Sequence, residues 1–69
     1  MQEIERLVKM ANQIADNFRF HDDAAERTAD HLQRFWAPSM RQKLQEYRSA
    51  GGEALQPAAR EALQQMAGG

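Results

Sequence analysis

The first segment of the chain sets the fold class. Residues 4–18 read IERLVKMANQIADNF, and apolar side chains recur at every third or fourth position. At ~100° per residue, the apolar side chains from Ile4 to Phe18 fall within an arc of roughly 160°, and most of the charged side chains lie on the other side. This spacing predicts an amphipathic helix over about residues 2–18.

A second helix is predicted after the junction at residues 19–21. Asp22 or Asp23 can cap it, because a short carboxylate accepts hydrogen bonds from the free N–H groups of a first helical turn. The pairs Asp23–Arg27 and Asp30–Arg34 are spaced i,i+4 and favour a solvated side. The predicted apolar side consists of Ala25, Thr28, Ala29, Leu32, Phe35 and Trp36.

Proline and glycine divide the rest of the chain into two more helices. Pro38 disfavours helical geometry at Ala37 but fits the first turn of a new helix, which we expect over about residues 38–50, ending at Gly51-Gly52. Its apolar stripe is narrow and consists of Met40, Leu44 and Tyr47. Pro57 begins a fourth helix, which carries Ala58, Ala59, Ala62, Leu63 and Met66.

The fold class is therefore all-α, as a small bundle or orthogonal array of about four short helices. We expect a single domain over residues 1–66 and a frayed tail at residues 67–69. A chain of 69 residues buries only ~60% of the surface that its unfolded form exposes. It contains no cysteine, so disulfides and thiolate metal sites cannot add stability. Efficient helix packing or a protein partner must do so, and a binding or structural role is favoured over catalysis.

The charge is nearly balanced overall but uneven along the chain. Nine Lys and Arg residues face ten Asp and Glu residues, which argues against a general nucleic-acid or membrane-surface binder. Residues 34–48 nevertheless hold four basic side chains against one acidic side chain, together with three aromatic ones. We interpret this basic middle segment as a recognition surface. No apolar stretch reaches the ~18–20 residues of a membrane span, so we expect a cytoplasmic protein without membrane contact.

No arrangement of residues predicts catalysis or a metal site. Among the hydroxyl residues only Thr28 has a histidine at helical spacing, His31, and both fit the margin of a buried helix face. Glu26 and Asp30 share a face, but His31 points ~100° further round, and neither Glu-x-x-His nor His-x-x-x-His occurs. We therefore expect no catalytic, cofactor-binding or metal-binding residues in this chain.

The most unusual feature is the junction at residues 35–38, Phe-Trp-Ala-Pro. Trp36 can simply fill the centre of a small core. Alternatively, part of its ring stays exposed with Phe20 and the stem of Arg41, and these side chains anchor a partner, because Trp and Arg often dominate binding energy at interfaces. The residues that we predict to bind a partner are Asn12, Phe20, His31, Arg34, Trp36, Pro38, Met40, Arg41 and Arg48.

Asn12 allows three interpretations. It borders the apolar arc of the first helix, where asparagine has a lower helix propensity than alanine. It either makes a local bond to the loop after the second helix, or is solvated, or pairs with the backbone of a partner.

Two strings give the chain a family resemblance. Residues 10–14, MANQI, and residues 31–41, HLQRFWAPSMR, together resemble the delta subunit of cytoplasmic NAD-dependent formate dehydrogenases. The segments at residues 50–52, 55–57 and 62–63 fit the same pattern, so the resemblance covers about residues 4–64. Ala37 and Ser39 depart from it, since the family often has an acidic residue and an arginine at these positions. These departures weaken any transfer of a salt bridge to the junction.

The resemblance implies an accessory subunit without an active site of its own. Its partners would be the large catalytic subunit and the associated electron-transfer subunits, which carry the molybdenum cofactor, iron–sulfur clusters, flavin and NAD. The subunit would support assembly or stability of the holoenzyme. The alternative is an unrelated small helical protein that regulates by forming a homodimer or by binding nucleic acid, and the isolated chain could also self-associate.

Overall fold

The structure, a computed structural model, describes residues 3–68 and contains four α-helices. They are α1 (Glu3–Asn17), α2 (Ala24–Phe35), α3 (Pro38–Ser49) and α4 (Pro57–Gly68). Within the described residues no strand occurs, and the helices form a small bundle, so the all-α prediction is confirmed. α4 extends to Gly68, past the point where we expected fraying to begin. Gly69, the last residue of the predicted tail, lies outside the described residues.

Every helix contributes a buried leucine or several small residues to one core. α2 packs most extensively against α4, and α1 lies against the other three helices. Alanines on α1 and α4, among them Ala11 and Ala59, are fully buried, and such small side chains let the helices approach closely. The leucines and the valine of the core are Leu7, Val8, Leu32, Leu44, Leu55 and Leu63.

The start of α2 differs from the expected cap. Asp23 occupies the N-cap position, but its side chain makes no capping hydrogen bond. It instead accepts a hydrogen bond of 2.7 Å from Nε of Arg27, which lowers the pKa of the Asp23 carboxyl. The ion pairs Asp23–Arg27 and Asp30–Arg34 were both predicted and are both confirmed. The prediction of a carboxylate cap was wrong, because the Asp23 carboxylate binds the Arg27 guanidinium instead of the free N–H groups of α2.

The buried hydroxyl of Thr28 is satisfied within its own helix. Thr28 is fully buried, and its Oγ1 donates to the carbonyl oxygen of Ala24 at 2.7 Å. A hydroxyl bonded one turn back along a helix needs no partner elsewhere. The proximity of Thr28 and His31 in the sequence is thus explained by helix packing.

The end of α3 follows the glycine prediction. Gly51 and Gly52 both have positive φ, of 130° and 56°, which side chains with a Cβ rarely adopt. The N–H of Gly52 returns to the carbonyl of Tyr47 at 3.0 Å, as at many helix C-termini. A Cβ at Gly52 would lie 3.1 Å from the Cα of Arg48, so this turn requires glycine for space as well as for its dihedral angles.

Asn12 holds the irregular segment between α3 and α4, residues 50–56, against α1. Its Nδ2 donates to the carbonyl of Ala54 at 2.8 Å, and its Oδ1 accepts from the N–H of Gln56 at 2.9 Å. We call this pair of bonds the Asn12 clamp. The local bond expected for Asn12 therefore exists, but it goes to the loop before α4 and not to the loop after α2. The clamp places Leu55, which lies between the two bonded residues, in the core.

The same α3–α4 segment is held from its other side by two further side chains. Arg60 of α4 donates from Nη1 to the carbonyl of Gly51 at 3.0 Å and from Nη2 to that of Gly52 at 2.5 Å. The hydroxyl of Tyr47 accepts from the N–H of Ala54 at 3.2 Å. Side chains from α1, α3 and α4 thus bond backbone groups of a segment that lies between the regular helices.

Replacing Asn12 tests the clamp. We expect Asn12→Ala to lower the free energy of unfolding by about 1–3 kcal/mol, because two backbone groups lose their partners at once. Asn12→Asp keeps the acceptor for the Gln56 N–H but places a second oxygen against the Ala54 carbonyl, so it should also destabilise. Urea unfolding gives the stability, and hydrogen exchange at the Gln56 amide gives the local effect. Gln13→Ala, an exposed amide one residue further, is the matched control, and an equal loss in both variants would contradict the clamp.

Leu63 tests the packing of α4. It is fully buried, so Leu63→Ala should cost about 2–5 kcal/mol by removing apolar contacts and leaving a cavity. One core supplies only ~3–5 kcal/mol to a chain of this size. We therefore expect circular dichroism to show that the variant is largely unfolded at room temperature. The exposed Gln64→Ala should behave as wild type, and a folded Leu63→Ala variant with an unchanged urea midpoint would contradict the core described.

Candidate docking surface

Trp36 lies in the core. The side chain is 6% exposed and belongs to the apolar cluster with Leu32 and Leu44. Its backbone N–H donates to the carbonyl of Leu32 at 3.0 Å and closes the last turn of α2. The expectation that part of the Trp36 ring stays exposed was therefore wrong, and the reading in which Trp36 fills the core is confirmed.

Phe35 has the opposite placement from the one expected. We predicted it on the buried side of the second helix, but 71% of it is exposed. By helical angle Phe35 lies at the margin of the apolar arc of α2, near His31 rather than in line with Leu32 and Trp36. The Phe35 and His31 rings are 4.8 Å apart between centroids, and His31 is half-buried. We call this pair the aromatic flank of α2.

Phe20 is the most exposed large apolar side chain of those described. It lies in the turn between α1 and α2 and is 87% exposed. The guanidinium of Arg19 lies 4.7 Å from its ring centroid, and Arg19 also pairs with Asp16 at 2.9 Å. This cation–π contact holds the ring on the surface without burying it. The exposure predicted for Phe20 is thus confirmed.

A groove runs beside α3 and brings three of the predicted residues together. Pro38, Arg41 and Arg48 line it, and Gln45 and Met66 are among the other residues of its walls. It is open to solvent and has a volume of about 390 Å³. We call it the α3 groove. Met40 does not line this groove, since it is half-buried and packs against the core cluster.

Arg34 and Asn12 are placed away from the α3 groove. Arg34 is exposed and pairs with Asp30 at 3.1 Å along α2. Asn12 is committed to the clamp on the α3–α4 segment. Neither lines the α3 groove, and the Asn12 amide makes its two observed hydrogen bonds within the chain.

Two features of this surface were missed from the sequence. The exposure of Phe35 was one, and the only signal for it was its angle at the edge of the apolar arc. The other was Gln45, whose Nε2 donates to the carbonyl of Leu63 at 2.6 Å and whose Oε1 accepts from Arg48 at 3.0 Å. A glutamine that links two helices carries no sequence signature, because its partners lie 18 residues away and on its own helix.

The described residues also bear on metal and membrane binding. Across residues 3–68, no three histidine or carboxylate side chains group closely enough to hold a metal ion. None of the helices in that range has the length and apolar character needed to cross a membrane.

Comparison with known proteins identifies a matching family. The family described as NADH-dependent formate dehydrogenase delta subunit FdsD matches residues 6–63. This range includes the aromatic flank, the α3 residues of the α3 groove and both partners of the Asn12 clamp, whereas Met66 of the groove lies beyond it. Neither a curated protein nor a solved structure matches the chain.

Proposed function

The chain belongs to the family of NADH-dependent formate dehydrogenase delta subunits, and from this premise we propose that it is a non-catalytic accessory subunit. In this proposal it docks on the large catalytic subunit and supports assembly or stability of the holoenzyme. The family assignment covers most of the chain and supports a role within that complex. A partner-binding role also agrees with a chain whose size limits its own core.

The exposed phenylalanines are the observation that carries the docking role. Of three phenylalanines in the chain, Phe20 and Phe35 are 87% and 71% exposed. Burying one such side chain fully is worth about 1.5–3 kcal/mol, which this small domain does not gain alone. Aromatic side chains are enriched in protein interfaces, where a partner buries them. We therefore place the docking contact on Phe20 and on the aromatic flank.

The cofactors of the reaction belong to the partner subunits in this proposal. The resemblance implies that the large subunits carry the molybdenum cofactor, iron–sulfur clusters, flavin and NAD. The present chain has no cysteine that could ligate an iron–sulfur cluster. We propose accordingly that it contributes contacts and no redox centre, and that it acts in the cytoplasm together with the complex.

Trp36 has a structural part in this function. Its burial at the end of α2 fixes the position of Phe35, the preceding residue, on the surface. A Trp36 substitution would therefore disturb the core and the docking contact together. Substitution of the exposed rings alone separates the two effects.

The test compares a double variant, Phe20→Ala/Phe35→Ala, with wild type in cells that make the whole complex. We expect co-purification with the large subunits to fall at least ~10-fold, because two aromatic anchors are lost. Formate-dependent NADH formation in the lysate should fall with it. The urea midpoint of the isolated variant should stay close to that of wild type, since the removed rings are mostly in solvent.

Glu46→Ala/Gln64→Ala, which removes two exposed polar side chains, is the control and should co-purify normally. Unchanged association and unchanged NADH formation in the aromatic variant would overturn the proposed docking contact. Sedimentation of the isolated chain tests the homodimer alternative. A stable dimer that dissociates on removal of the two rings would assign them to self-association.

A further inference from the structure

The α3 groove has an unusual charge composition. Its charged lining side chains are Arg41 and Arg48, and no carboxylate lines it. Among residues 3–68 neither of these arginines lies within 4 Å of a carboxylate, whereas Arg19, Arg27 and Arg34 each do. Arg41 and Arg48 therefore have no carboxylate partner among the described residues.

Arg41 has an unmet hydrogen-bond donor. The residue is half-buried, and its Nε is enclosed but has no hydrogen-bond partner within the described chain. A buried donor without a partner is unfavourable, and a guanidinium matches a carboxylate with two parallel bonds. Because Nε is enclosed, a carboxylate bound in the α3 groove would pair with the terminal Nη groups of Arg41, which lines the groove.

Arg48 is held in position from a neighbouring helix. Gln45 donates to the carbonyl of Leu63 in α4 and accepts from Nε of Arg48 at 3.0 Å. This relay fixes the guanidinium while its terminal N–H groups remain available. A side chain that is already oriented loses less conformational freedom on binding. Arg41 and Arg48 are seven residues apart, which is two helical turns or ~10.5 Å along the axis.

We propose that the α3 groove binds a short acidic segment of the partner complex, with one carboxylate on Arg41 and a second on Arg48. This inference rests on the proposed function and adds the chemistry of one contact. A spacing of ~10 Å fits acidic residues two turns apart on a helix, or about three apart in an extended segment. Pro38 and Met66 offer apolar walls for the stems of those side chains.

The charges around the α3 groove favour a short segment over a long polyanion. The adjoining depression, which shares Gln33 and Met66 with it, is lined by Glu26 and Asp30. A nucleic acid would bring a row of phosphates across these carboxylates, whereas two carboxylates on a peptide fit within the groove alone.

The first measurement is the affinity of the full chain for formate dehydrogenase complex prepared without it. Arg41→Gln/Arg48→Gln should weaken binding at least ~10-fold at low salt, and the difference should shrink as salt screens the ion pairs. Arg6→Gln/Lys9→Gln removes the same charge from α1 and should change affinity much less. Arg41→Lys/Arg48→Lys keeps the charge but loses the planar fork, and we expect intermediate affinity.

The second measurement is direct and uses the chain alone. The probe is a short peptide with two glutamates on one helical face, and its glutamine counterpart is the control. Titration should shift the Nε–H resonances of Arg41 and Arg48 with the glutamate peptide only. Urea unfolding of each variant confirms that it is folded before affinities are compared.

The outcomes separate the two proposals. If the Gln variant binds the complex as wild type does while the Phe20/Phe35 variant does not, the docking function stands and the acidic-segment inference is overturned. If wild type does not bind the complex, both fail. Displacement of the glutamate peptide by duplex DNA at equal or lower concentration would assign the α3 groove to phosphate and also overturn the inference.

Discussion

The two hydrogen bonds of the Asn12 amide are the constraint on which the rest of the fold depends. They join the middle of α1 to the segment that precedes α4, across 42 and 44 residues of sequence. Because Leu55 lies between the two bonded residues, fixing their backbone also fixes a core side chain. A chain of this size without cysteine has no covalent link to do this. The clamp holds the irregular part of the chain against α1 directly before Pro57, where α4 begins.

Polar side chains do more structural work here than the apolar pattern suggests. Three polar side chains bond backbone groups of other segments. Asn12 bonds the segment before α4, Arg60 bonds the two glycine carbonyls, and Gln45 bonds the Leu63 carbonyl. Each net bond contributes only about 0.5–1.5 kcal/mol, but an unmet buried group would cost more. In a domain with a few kcal/mol of total stability, such bonds decide whether the fourth helix stays docked.

The helices and their ends were largely predictable from the sequence, because they depend on local rules. All four helices were predicted from helical periodicity, the proline at position 38 and the paired glycines. Two ion pairs were predicted from i,i+4 spacing. Contacts made across the fold were not predictable in this way. The angle of Phe35 placed it at the edge of the apolar arc of α2, but only the packing of the neighbours shows that nothing covers that edge. The Asn12 partners were likewise assigned to the wrong loop, because spacing on α1 does not reveal which segment crosses it.

The junction after α2 shows how one turn of backbone serves both folding and the proposed docking contact. Trp36 and Phe35 are adjacent, so a helix that buries one ring turns the other ~100° away towards solvent. α3 then begins at once at Pro38, and its narrow apolar stripe of Met40, Leu44 and Tyr47 leaves most of its surface uncovered. That surface includes the α3 groove, with its two arginines and no carboxylate. The scarcity of apolar side chains on α3 therefore limits the core and, for the same reason, leaves the α3 groove open to solvent.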